Sequence, residues 1–127
     1  MIDIESENRS GIAVSINLAC DFARSVLLME GINEGELGLW FVSPREIRSL
    51  KLKHLGIDEA TDVLSFPIDG GESLPEGVPR VLGDVFICPQ VVENVWRSPL
   101  AHGLLHLLGY GHGDLMEKRE QELLAQI

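Results

Sequence analysis

At the start of the chain Ile2 and Ile4 alternate with Asp3 and Glu5, a period of two that predicts a short strand ahead of the polar SENRSG turn. The period then changes. From Ile12 to Met29 the apolar positions Val14, Leu18, Phe22, Val26 and Met29 recur every three or four residues, the spacing of an amphipathic helix. ELGLWFV (36–42) reads as a half-buried strand. SPRE (43–46) then offers an N-cap serine, a proline at the first helical position and a glutamate three residues after the cap, so a helix is predicted from Pro44 to about His54. TDVLSFP (61–67) and VLGDVFI (81–87) are two further apolar runs of strand length, and PIDGGESLPEGVP between them, with three prolines and three glycines, must be loop. After Pro89 the pattern predicts a short helical stretch through Trp96, a break at RSP, and an apolar helix from Leu100 to Leu108 that Gly109 stops. The remainder, GDLMEKREQELLAQI, reads as a charged amphipathic helix anchored by Leu115, Leu123 and Leu124.

Composition narrows the picture. A chain of 127 residues with 45% hydrophobic content supports one core, and no repeat or linker divides it, so residues 1–127 are expected to form a single domain. Twenty acidic side chains against ten basic ones give a net charge of −10, which disfavours non-specific binding to polyanions. A nucleic-acid partner would therefore need a local basic patch. Arg45, Arg48, Lys51 and Lys53 form the one basic cluster; Arg45 and Arg48 share a helix face with Lys51 near it. These four residues could supply such a patch, or they could form an ordinary solvated helix surface. Cys20 and Cys88, 68 residues apart with no CxxC partner, read as buried apolar side chains in a reducing compartment. The N-terminus lacks a basic region followed by an apolar one, and no apolar run approaches the roughly 18 residues of a membrane span. A cytoplasmic protein is expected, with neither a membrane nor DNA as partner.

The candidate chemistry lies in HGLLHLLGYGH (102–112), which holds three of the four histidines. On a helix His102 and His106 stand at i and i+4, one turn apart on one face, as suits two ligands of one metal ion. A turn at Gly109 could bring His112 to the same point, leaving a fourth tetrahedral position open. The alternative is a set of inert core histidines, each of which would need a hydrogen-bond partner for both nitrogens. The spacing also matches the zinc-protease motif HExxHxxGxxH except that Gly103 stands where the general-base glutamate belongs, so proteolysis is disfavoured.

TDVLSFP (61–67), LGDVFICP (82–89) and HGLLHLLGYGH (102–112) resemble, in the same order, three signature segments of the bacterial YbeY family of rRNA maturation factors, and NEGELGLWFVSPREIRSLK (33–51) resembles the strand and helix upstream of them. The resemblance implies an α+β fold with a small mixed sheet packed with helices and a zincin-like metal helix. It also implies a Zn2+-dependent single-strand endoribonuclease in ribosomal RNA maturation and ribosome quality control, with one zinc held by His102, His106 and His112. RNA and the ribosome would be its partners. The chain departs from the family pattern in three places. Leu55 stands where an arginine is expected ahead of TDVLSFP; Gly111 replaces the aspartate beside the third histidine, so that a carboxylate supporting the ligands is expected to be missing; and the stretch between LGDVFICP and His102 is short. Arg48, Lys51 and Ser65 are left as candidate catalytic residues, and Arg45, Arg48, Lys51 and Lys53 as candidate substrate-binding residues. Asp62 could line the cleft or only cap the strand entry. Because the arginine is absent, a ribosome-assembly binding factor with a retained zinc site and little nuclease activity is the alternative.

Overall fold

A computed structural model describes residues 1–127. Strands β1 (Ile2–Asn8), β2 (Gly35–Phe41), β3 (Val63–Pro67) and β4 (Val81–Ile87) form one sheet in the order β1-β2-β4-β3. β1, β2 and β4 run parallel, and edge strand β3 lies antiparallel to β4. The connections and the C-terminal third supply helices α1 (Ile16–Met29), α2 (Pro44–Leu55), α3 (Arg97–Leu107) and α4 (Asp114–Gln126). The mixed α+β architecture expected from the family resemblance is the one observed.

Strand alternation gives the sheet two unequal faces. Leu37, Leu39 and Phe41 of β2 and Val85 and Ile87 of β4 point to one face, where α1, α3 and α4 close a core of 21 buried residues. Val42, Leu64 and Cys88 point the other way and meet Ile47 of α2, a core of four, with Trp40, Phe66 and Phe86 packed against it. The sheet therefore separates α2 from α3. Both cysteines are buried and free, as read from the sequence.

Several boundaries differ from expectation. β1 runs on through Asn8 because it pairs with β2 from Ile2–Gly35 to Asn8–Phe41, and the polar inward residues find partners: Cys20 donates to Ser6, and the Asn8 amide to the Ile12 carbonyl. α1 begins at Ile16 rather than Ile12, and Leu18 is exposed while Ala19 and Ala23 are buried. Residues 89–96 form turns, not a helix: Glu93 and Asn94 both adopt left-handed backbone (φ 53° and 59°), which ends any right-handed helix. Arg97–Pro99 is the first turn of α3 instead of a break; a proline there loses only an N–H that the turn leaves unpaired anyway. In α4 Leu115 is 82% exposed, and Met116 takes the anchoring place beside Leu123. Ser43 caps α2 as predicted, accepting from the Glu46 N–H at 3.1 Å.

Candidate metal centre

α3 buries Leu100, Ala101, Gly103, Leu104, Leu105 and Leu107 and leaves His102 and His106 half-buried on its remaining side. Gly109 adopts φ +97°, and two main-chain bonds, from Gly109 N–H to the His106 carbonyl and from Tyr110 N–H to the Leu105 carbonyl, close the helix end. The reversed chain returns His112 to the other two histidines. Ring centroids are 4.6 Å apart for His102–His106, 4.4 Å for His106–His112 and 5.4 Å for His102–His112. One nitrogen from each ring lies within 4.8 Å of the other two, so the three can hold one metal ion.

The hydrogen bonds around the rings test that fit. The Nδ1 of His106 faces the Tyr110 carbonyl oxygen at 3.0 Å, and the Nδ1 of His102 faces the Glu120 carboxylate at 3.3 Å. Both partners only accept, so each Nδ1 carries the hydrogen and each Nε2 presents a lone pair. Those two Nε2 atoms stand 3.1 Å apart. Two lone pairs at that distance repel; a proton shared between the rings or a cation bound to both relieves them, and burial, which disfavours the charged ring, favours the bound cation. Nitrogens bound at about 2.05 Å to one tetrahedral ion stand about 3.3 Å apart, close to the observed separation. Burial holds the His106 pKa below its ordinary 6.5, against the opposing pull of the Tyr110 carbonyl, which favours the neutral, ligating ring.

Glu120 is the residue that sequence reasoning missed. Its carboxylate accepts from Ser98 Oγ at 2.6 Å through Oε1 and reaches His102 through Oε2, so it spans one turn of α3. A signal existed. With Met116 and Leu123 as the buried anchors of α4, Glu120 lies on the apolar face at i+4 from one and i−3 from the other. Tyr110 is pinned in turn: its hydroxyl donates to Glu30 at 3.1 Å, and Arg119 of α4 donates to the same carboxylate at 2.5 Å.

The other sequence candidates lie elsewhere. Ser65 donates its hydroxyl to the Gly103 carbonyl at 2.9 Å, seating α3 against β3. Asp62 caps the strand entry, accepting from Val63 N–H at 2.8 Å. Arg48 pairs with Asp58 at 2.6 Å and Lys51 with Glu59 at 2.8 Å, whereas Arg45 and Lys53 form no ion pair. All four sit on or at the end of α2, across the sheet from α3, and the structure does not bring them to the histidines. Leu55 ends the same helix, 55% exposed. A groove of about 390 Å³ opens beside His106 against Asp69, Gly70 and Glu72, and another of about 530 Å³ flanks His112 and Leu115.

No helix is long and apolar enough to cross a membrane. The sequence matches the family described as Endoribonuclease YbeY over residues 3–127. Among curated proteins it is 45% identical over 98 residues to an Endoribonuclease YbeY of Tropheryma whipplei, an alignment covering 66% of this chain and 56% of that relative, so the match takes in little more than half of the relative's length. It is 32% identical over 143 residues to the protein of the same name from Alcanivorax borkumensis, covering 99% of this chain and 82% of that one. The solution structure of TM1509 from Thermotoga maritima superposes with a TM-score of 0.61 at 25% identity, covering 98% of this chain and 87% of that one.

Proposed function

The chain belongs to the endoribonuclease YbeY family, and from that premise we propose that it is a metal-dependent endoribonuclease that cuts single-stranded RNA. Ribosomal precursor RNA is the substrate class, in maturation and quality control on the cytoplasmic ribosome, and the ion is one zinc per chain at His102, His106 and His112. The observation that carries this reading is the pair of Nε2 lone pairs held 3.1 Å apart beside the ring of His112. Bound there, zinc supplies Lewis acidity toward the phosphodiester and acidifies water.

The residues of the chain do the remaining work. Tyr110 and Glu120 keep the two helix histidines in the ligating tautomer. Ser65 keeps α3 seated on β3 and is a positioning residue, not a nucleophile, on this reading. Arg45 and Lys53, without acidic partners, are the α2 cations free to meet RNA phosphates remote from the cut, on the other side of the sheet. Arg48 and Lys51 join them only by releasing Asp58 and Glu59.

The test is single-turnover cleavage of a single-stranded ribosomal RNA fragment by zinc-loaded and chelator-stripped protein. Cleavage that vanishes on stripping and returns with zinc is expected. RNA binding without cleavage by the loaded protein would overturn the enzyme reading in favour of an assembly factor.

A further inference from the structure

The carboxylate expected beside the third histidine is absent at Gly111, yet a carboxylate reaches the cluster from α4, a helix outside the motif. We propose that Glu120 is a positioning residue for the metal, which it serves by orienting His102, and that metal binding and docking of α4 on α3 are thereby coupled. The proposal rests on the metal reading given above.

Three observations support it. Glu120 is 16% exposed although it sits in a charged helix, so its carboxylate has been taken largely out of water and must be compensated where it lies. Both of its oxygens are used, one by Ser98 and one by His102, and these two residues stand one turn apart on α3. The Ser98 hydroxyl fixes the carboxylate's position, and the carboxylate in turn fixes the ring. Its neighbour Arg119 grips Glu30 and the Met29 carbonyl, and Glu30 holds the hydroxyl of Tyr110, whose carbonyl orients His106. Adjacent residues of one helix therefore lead to both histidines of α3.

An acceptor that fixes the outer nitrogen of a ligating imidazole is worth 10- to 100-fold in metal affinity. Coupling is reciprocal: whatever α4 adds to metal binding, bound metal returns to α4 docking. Loss of the ion is therefore expected to weaken the carboxylate's hold on His102.

The experiment titrates tag-free protein with zinc against a chelating indicator, for wild type, Glu120→Gln and Ser98→Ala, and follows amide exchange of α4 with and without zinc. Glu120→Gln keeps size and neutralises the carboxylate, and circular dichroism checks that it folds. Zinc affinity about 10-fold weaker in Glu120→Gln is expected, with a smaller loss in Ser98→Ala. Zinc should slow α4 exchange in wild type more than in Glu120→Gln. Affinities within twofold for wild type and Glu120→Gln, or α4 exchange indifferent to zinc, would overturn the proposal while leaving the metal site standing. Failure of wild type to bind zinc would overturn the metal reading and this proposal together.

Discussion

Replacing His106 with alanine is expected to lower the zinc content of purified protein from about one ion per chain to near zero, because two imidazoles rarely retain zinc at neutral pH. The ring is the hub of the cluster: its Nε2 faces His102, its centroid lies nearest to that of His112, and its Nδ1 is the one held by the helix-ending loop. The fold should survive, since the side chain is half-buried at the edge of the core and not part of it. Elemental analysis and circular dichroism check the two halves of the claim. RNA cleavage should fall to the level of stripped protein. Full zinc content in His106→Ala would remove the basis for the site.

The second large effect is on stability. Gly103→Glu restores the zinc-protease motif on paper, and the expected result is a destabilised protein with no peptidase activity. A Cβ at position 103 would sit 2.9 Å from Val85 Cγ1, 3.0 Å from Ser65 Oγ and 3.1 Å from Val63 Cγ2, all on the sheet under α3. Position 103 faces that sheet and not open space. Even Gly103→Ala, which in an exposed helix would gain up to about 1 kcal/mol, should be neutral or unfavourable here, because overpacking a core costs about 1–3 kcal/mol. Glutamate adds the cost of a carboxylate buried without a partner, for a total of at least about 3 kcal/mol and a midpoint lower by roughly 10 °C. Thermal unfolding of metal-free wild type and variant reads this directly. A variant as stable as wild type that digests casein would show that the position opens toward the ion after all.

Gly103 also shows what could be read before the structure and what could not. The missing glutamate was visible as a letter, and its chemical consequence followed; that the site has no room for the letter depends on Val63, Ser65 and Val85, which are distant in sequence. The three histidines were legible because i, i+4 and a glycine stop are local geometry. Ser43 and Pro44 announced α2 for the same reason. Glu120 is legible only once the helical phase is right: taking Leu115 in place of Met116 as the anchor turns α4 by a full residue, about 100°, and points Glu120 away. The basic cluster was seen as charge, but the pairing of Arg48 and Lys51 needed the fold of the 58–59 loop, and their distance from the histidines needed the sheet between. The turns at 93–94 carried half a signal, since asparagine tolerates left-handed backbone and Asn94 adopts it, whereas Glu93 carries no such preference.

The two sheet faces also set where the molecule opens first. α2 is fastened by buried Ile47 and half-buried Leu50 over a core of four, with a two-bond Arg9–Glu46 pair at its first turn, whereas the histidine-bearing layer rests on 21 buried residues. Free energies of local opening follow such differences, so α2 should behave as its own unit, exchanging its amides at a fraction of the global unfolding free energy while α3 stays protected. If Arg45 and Lys53 meet RNA as proposed, the helix that carries them can shift to follow an irregular chain without disturbing the three histidines on the other face. Compliance and precision are assigned to opposite sides of one sheet.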